Sequence, residues 1–435
     1  MKKLNLLLNK IHQVQGNEII YKLGYYAFWL ATIIEVLLVI LDKSAYNFPY
    51  QGRVFQITFL LCFIKVLCTK YEWSEYIAIF ICCSVGLLAD QMGDKNEILR
   101  MFMFVAACKD IDMKKCMKVV FWITSLGSLS IVIMSILGIG RNITELKEYA
   151  IASADMKENL GVETYSRFSF GMGHPNTFHI MVAVICILGL YVYKEVINWK
   201  IYLLVMVADI ALYYLTDART PTIIIMFSSG VMCLVKYIEK WKASNICLGK
   251  RGVVNQHILD IFSVLGFFFS IICVELSFWF AANAWKIYEY AWSRLEYSKS
   301  IGILRKIDIA LSGRIMNLMN YNNRAGSIWT WKLLPDSSHT EMFDLGYVRL
   351  FYWYGTMVSI FIILIFVALF TYLLVEVKYT DVMFILIIAI FTFVEAHFVS
   401  EYIGRNYLLF ILGMYWVDML KVLFERKSKK TELSV

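Results

Sequence analysis

The sequence predicts an all-α polytopic integral membrane protein with about twelve transmembrane helices. Of its 435 residues, 60% are hydrophobic and only 17% are charged, whereas an ordinary soluble domain carries about 25% charged residues. The apolar residues fall in runs of about 17 to 25, the helix length that crosses a bilayer core. Residues 1–435 are therefore expected to form a single transmembrane domain.

The apolar segments can be placed in order along the chain. Polar or charged residues separate them, and the fourth is short enough to be tilted or re-entrant. Their expected extents are 26–41, 54–69, 76–89, 98–108, 118–138, 171–193, 201–215, 221–237, 258–281, 347–375, 382–398 and 406–423.

The distribution of Lys and Arg predicts the orientation. Basic residues concentrate in the short segments 109–118, 236–251 and 426–430, whereas the short loop 90–97 is net acidic. Because Lys and Arg favour the cytoplasmic side, both termini are expected in the cytoplasm. This orientation also accounts for the net charge of +8, so we expect no nucleic-acid partner.

Two predicted outer loops are long, 139–167 and 284–346. The second is rich in aromatic and basic residues, which is typical of functional loops and of amphipathic helices at the membrane interface. Within it, Ser312 is expected to cap a helix that begins at Gly313 or Arg314. Its aromatic residues include Trp285, Tyr288, Tyr290, Trp292, Trp329 and Trp331.

The stretch Tyr165–His179 is the first candidate site. Arg167, two Gly, two His and a Pro meet there at the mouth of an apolar helix. Since the free N–H groups of a helix N-terminus attract anions, this stretch is expected to bind part of a phosphate-bearing substrate.

Further arginines fall on the same predicted side. Arg219 precedes the eighth segment, Arg314 lies in the long loop, and Arg405 precedes the twelfth. Arg stays charged and matches phosphate oxygens bidentately, so a diphosphate is the expected ligand. In the predicted orientation the sixth, eighth, tenth and twelfth helices begin at the outer face, where their positive dipole ends could converge.

Simpler interpretations compete with these roles. Arg167, Arg219 and Arg405 could only anchor helix ends at the headgroups. His174, before Pro175, could be a helix cap, and His179 a hydrogen-bonded interior group.

Three acids, Glu35, Asp209 and Glu275, fall inside predicted spans. Intramembrane acids are functional candidates by default. Their partners cannot be identified from the sequence, and they stay outside the predicted site.

These motifs resemble those of Wzy-type polysaccharide polymerases, of the O-antigen polymerase/ligase superfamily. The resemblance is strongest to polymerases of Gram-positive capsule and exopolysaccharide loci. The number of predicted spans and the long loop before the tenth also match. The similar stretches are Arg167–Asn176, Leu311–Arg314 with its Arg motif, and Asp344–Tyr347 followed by Tyr354 and Gly355.

The resemblance implies a GT-C-like glycosyltransferase architecture in the bacterial cytoplasmic membrane. It implies polymerisation of polyprenyl-diphosphate-linked oligosaccharide repeat units into capsular or exopolysaccharide chains at the outer face. The implied partners are the lipid-linked glycan donor and acceptor, the bilayer, and flippase and chain-length regulator proteins. No cofactor and no obligatory metal are implied, although scattered Asp and Glu leave a divalent ion open.

The resemblance also implies residue roles. The acceptor hydroxyl needs a base, for which Asp344 is the first choice, with His339, His174 and Glu395 behind it. Apolar grooves between spans would hold the lipid tail. The predicted substrate-binding residues are Arg167, His174, Asn176, Arg219, Arg314, Tyr347 and Arg405.

Two alternatives remain. O-antigen ligases carry a His where this chain has Asp344, which favours a polymerase. A flippase or transporter for lipid-linked oligosaccharide fits twelve spans, but its ionisable residues would follow a central path with repeat symmetry.

Overall fold

The computed structural model describes residues 12–46, 48–152, 159–245, 251–291, 298–320 and 324–432. The chain packs as two compact units. The first unit comprises Met1–Glu35, Gly52–Cys116 and Ile238–Val435, and the second comprises Val36–Gln51 and Met117–Tyr237.

Each apolar segment predicted from the sequence overlaps one α-helix of the structure. In the first half of the chain the helices are α1 (Glu18–Lys43), α2 (Gln51–Leu67), α3 (Trp73–Gly93), α4 (Glu97–Ala107), α5 (Met113–Ile136), α6 (Pro175–Val192) and α7 (Trp199–Thr216). In the second half they are α8 (Arg219–Asn245), α9 (Arg251–Ala291), α10 (Lys299–Ala310), α11 (Arg314–Asn317), α12 (Gly346–Val375), α13 (Tyr379–Val394) and α14 (Leu408–Glu432).

Among the described residues, eight helices are long and apolar enough to cross a membrane: α1, α3, α5, α6, α7, α8, α9 and α12. Helix α13 is apolar but shorter. The prediction of a helical, polytopic membrane protein is thereby confirmed. The count of twelve spans, the orientation and the single transmembrane domain stay predictions.

The two predicted outer loops contain regular structure. Residues Thr144–Ala152 (β1) pair antiparallel with Asn159–Phe168 (β2), a hairpin that the sequence analysis did not predict. In β2 the β-branched and aromatic residues favour a strand, but the charged residues of β1 obscure the pattern. The loop 284–346 contains α10, α11 and the end of α9, and Trp292 lies outside the described residues.

Helix α12 is broken at Gly355, where φ is 69° and ψ is 166°. Beyond the break, the N–H groups of Thr356 and Met357 donate to the carbonyls of Lys332 and Leu333, at 2.9 and 3.0 Å. The preceding loop therefore supplies the hydrogen bonds that the helix loses. A Cβ at position 355 would lie 2.6 Å from the carbonyl carbon of Leu334, so glycine is required sterically as well as conformationally.

A buried ion pair joins helices of the first unit. Arg100 Nη2 lies 2.8 and 3.1 Å from the two carboxylate oxygens of Glu35, and the two residues are 4% and 2% exposed. Thr58 donates to Glu35, and Arg100 Nη1 donates to the Glu401 carbonyl at 2.9 Å. Since a buried charge is costly unless it is paired, the pair fixes α1, α2 and α4 to the segment that precedes α14.

The substitution Gly355→Ala is expected to lower the melting temperature of the purified protein. A non-Gly residue at this combination of positive φ and extended ψ, which is essentially limited to glycine, costs about 1–3 kcal/mol, and the added Cβ contacts Leu334. The matched control is Gly52→Ala, in α2, where an added Cβ meets no atom within 4 Å. Equal melting temperatures for the two variants would contradict the steric argument.

Replacing Arg100 by Met should destabilise the protein by about 3–5 kcal/mol, because Glu35 is left as an uncompensated buried charge. The double variant Glu35→Gln with Arg100→Met should recover part of this loss, since Gln still accepts from Thr58. Thermal unfolding in detergent compares the three proteins. A double variant as unstable as the single one would show that the ion pair is not the cause.

Candidate substrate site

The short helix α11 carries Arg314 and is held in place by Asp308. Ser312 and Gly313 both adopt left-handed conformations, with φ of 58° and 79°. Asp308 Oδ1 accepts hydrogen bonds from the N–H groups of Ile315 and Met316, at 2.7 and 3.1 Å. The prediction that Ser312 caps this helix is therefore wrong: Gly313 occupies the cap position and a residue of α10 supplies the carboxylate.

Arg314 is buried and lies between two predicted catalytic acids. Its Nη1 donates to the Val394 carbonyl at 2.5 Å, and its Nη2 donates to the carboxylate of Glu395. Its Nε lies 3.7 Å from Asp344 Oδ2. The structure thus brings together three residues that are far apart in the sequence, at the end of α13 and the start of α12.

The two acids differ in accessibility. The Glu395 side chain is buried in its ion pair, whereas that of Asp344 is 57% exposed. At 3.7 Å the Asp344 carboxylate is beyond hydrogen-bonding distance of Nε. Glu395 is therefore placed to orient the guanidinium, and Asp344 is placed to meet an incoming group.

His339, the second candidate base, is buried against the break in α12. Its Nδ1 lies 2.6 Å from the carbonyl of Tyr352, and its ring stacks on the Tyr352 ring with centroids 4.1 Å apart. A carbonyl only accepts hydrogen bonds, so Nδ1 carries the proton and Nε2 is the basic nitrogen. The Tyr352 carbonyl is available because Thr356, its usual helical partner, donates to Lys332 instead.

Two predicted substrate-binding residues of the first unit make other contacts. The Tyr347 hydroxyl donates to the Ala389 carbonyl at 3.3 Å. Buried Arg405 donates to the Ser400 hydroxyl at 3.2 Å, and its guanidinium lies 4.8 Å from the centre of the Tyr402 ring.

In the second unit, Arg167 binds the end of α7. Its Nε donates to the Thr216 carbonyl at 2.7 Å, and its Nη2 donates to the Asp217 carbonyl at 3.2 Å. A cation is favourable at a helix C-terminus, where carbonyls lack helical partners. The contact observed for Arg167 is thus with the negative end of a helix, and its substrate-binding role stays a prediction.

The start of α6 has the form of a capped helix. His174 is the N-cap residue, its Nδ1 accepts from the backbone N–H of Asn176 at 3.1 Å, and Pro175 is the first helical residue. The interpretation of His174 as a cap is confirmed. Arg219 is exposed at the first position of α8.

His179 is fully buried one turn into α6. Its ring nitrogens lie 2.7 Å from Asp209 Oδ1 and 2.8 Å from the Thr216 hydroxyl. The interpretation of His179 as a hydrogen-bonded interior group is confirmed, and the partner of the intramembrane acid Asp209 is identified. The convergence of Arg167, His174, Asn176 and Arg219 with Arg314 on one diphosphate stays a prediction.

A largely apolar cavity of about 330 Å³ lies within the first unit, between α4, α9, α12, α13 and α14. Glu275, Tyr347 and Asn406 are among its polar lining residues. In the part of the chain that the structure describes, no group of three His, Cys, Asp or Glu could hold a metal ion.

No family model, no curated protein and no solved structure matches this chain.

A pH experiment tests the capping role of Asp308, whose pKa is raised by burial, although the N–H groups of Met316 and Ile315 lower it. Because the pKa of Asp308 is higher in the folded than in the unfolded protein, Asp308 stabilises the fold fully at pH values below its unfolded-state pKa, about 4. This stabilisation is lost as the pH rises through the folded-state pKa.

The variant Asp308→Asn keeps an oxygen that can accept both N–H bonds but cannot ionise. Its melting temperature should therefore fall less than that of the wild type between pH 4 and neutral pH. If the melting temperatures of the two proteins fell equally over this pH range, the raised pKa of Asp308 would be contradicted.

Proposed function

We propose that the protein polymerises polyprenyl-diphosphate-linked oligosaccharide repeat units into capsular or exopolysaccharide chains. The growing glycan would be transferred from its lipid diphosphate to a hydroxyl of the next unit, at the outer face of the bacterial cytoplasmic membrane. The observation that supports this most is the placement of Arg314, buried against Glu395 and beside the exposed Asp344.

The reaction needs charge stabilisation more than a general acid. The bond between the anomeric carbon and the diphosphate oxygen breaks, the oxygen keeps the electron pair, and the acceptor oxygen bonds to the anomeric carbon. A diphosphate leaves readily once its negative charge is stabilised. Arg314 is already oriented by Val394 and Glu395, so little reorganisation opposes its binding to the departing phosphate.

The proton of the acceptor hydroxyl needs a base, and Asp344 has the better position. Its carboxylate is exposed, and Oδ2 lies 3.7 Å from Arg314 Nε. Glu395 is engaged by Arg314, and His339, which keeps a basic Nε2, is buried. In this proposal Asp344 accepts the proton, Glu395 positions Arg314, and His339 maintains the break in α12.

The remaining predicted residues have supporting roles in the proposal. Exposed Arg219 and the capped start of α6 offer a cation and backbone donors for phosphate oxygens. The long apolar helices offer surface for the polyprenyl chain. Flippase and chain-length regulator proteins are the proposed partners, and the architecture proposed is GT-C-like.

The variant Arg314→Lys should lose polymer formation by roughly 100-fold, the typical effect of removing one charge-stabilising donor. A Lys cannot contact Val394, Glu395 and a phosphate with a planar fork. Glycan length is compared on gels after complementation of a deletion strain, with membrane insertion checked by immunoblotting. The matched control is Arg324→Lys, because Arg324 is an exposed arginine of the same loop that pairs with Glu289.

Several outcomes would count against the proposal. Wild-type polymer from Arg314→Lys would remove this residue from the site. Normal long-chain glycan in the deletion strain would refute the polymerase function. Repeat units that accumulate on the inner leaflet would indicate a flippase instead.

A further inference from the structure

Three hydroxyl groups that line the cavity of the first unit share one property: each already donates its hydrogen to a backbone carbonyl. The cavity walls are mostly Ile, Leu, Phe and Val, with a few polar residues among them. Ser270 donates its hydroxyl hydrogen to the Gly266 carbonyl at 2.9 Å, and Thr392 donates to the Ile388 carbonyl at 2.8 Å.

Tyr347 likewise donates to a backbone carbonyl. Since a hydroxyl has one hydrogen, these three groups have only lone pairs left to offer an occupant.

Two further lining residues carry hydrogen-bond acceptors that no described residue donates to. Asn406 is 8% exposed, and its buried Oδ1 has no hydrogen-bond partner among the described residues. Glu275, an exposed residue in the middle of α9, lines the cavity and forms no hydrogen bond or ion pair with any residue that the structure describes. For Asn406, a buried acceptor without a partner is unfavourable. For Glu275, an acid within an apolar helix of a membrane protein usually has a functional reason.

We propose that this cavity binds an amphiphile that carries an apolar chain and a primary ammonium group, with the ammonium placed at Glu275 and Asn406. An ammonium group offers three donors and a positive charge, which matches a carboxylate among acceptors. The apolar walls accept the chain, and the volume falls within the range of about 300–1,000 Å³ usual for ligand pockets.

The same chemistry disfavours an anionic ligand. A phosphate headgroup without an ammonium offers only acceptors and negative charge, so both Glu275 and the lining hydroxyls oppose it, whereas a zwitterionic headgroup presents its ammonium instead. This site is therefore distinct from the diphosphate site proposed at Arg314, and it does not depend on the polymerase function.

Native mass spectrometry of the delipidated full-length protein tests the proposal with three probes at equal concentration: phosphatidylethanolamine, phosphatidylglycerol and undecaprenyl phosphate. Phosphatidylethanolamine should bind most tightly to the wild type. Glu275→Gln should weaken that binding at least about tenfold, since the ammonium loses a charge-assisted hydrogen bond. Glu275→Asp keeps the carboxylate and should keep the preference.

The matched control is Glu376→Gln, an exposed glutamate at the end of α12 outside the cavity, which should bind like the wild type. Unchanged phosphatidylethanolamine binding by Glu275→Gln would overturn the proposal. So would preferential binding of undecaprenyl phosphate that does not depend on Glu275, which would assign the cavity to the tail of the glycan carrier. Neither outcome affects the test of polymer formation at Arg314.

Discussion

Backbone that leaves a helix inside an apolar environment must find hydrogen-bond partners, and buried arginines supply them here. Arg100 donates to the Glu401 carbonyl, Arg167 to the Thr216 carbonyl, and Arg314 to the Val394 carbonyl. In two of these cases an acid, Glu35 or Glu395, balances the charge. A guanidinium can do this because it has five donors in a fixed plane, whereas a Lys would leave carbonyls unsatisfied.

The break in α12 follows the same constraint. Gly355 permits the turn, the carbonyls of Lys332 and Leu333 accept the N–H groups beyond it, and His339 donates to the carbonyl left over before it. Tyr354 donates to the buried carboxylate of Glu97 at 2.7 Å. The Tyr-Gly part of the motif therefore has a structural explanation, whereas Asp344 of the same motif lies exposed before α12.

The helices could be predicted from the sequence, because apolar runs of membrane length report on local structure. Their partners could not, because Arg100 and Glu35 or Arg314 and Glu395 are brought together only by the tertiary fold. Arg100 did give a signal, as a single cation in the otherwise apolar segment 98–108. The N-cap at Ser312 was predicted wrongly because a carboxylate from the preceding helix, Asp308, takes over the capping bonds.

Extension of a lipid-linked repeat by the purified protein tests the central claim most directly. The protein is reconstituted with a defined polyprenyl-diphosphate-linked oligosaccharide, and the products are separated by length. The account predicts a ladder that grows by one repeat unit at a time, with release of polyprenyl diphosphate. A folded protein that leaves the repeat unit unextended, with or without moving it across the membrane, would contradict the account.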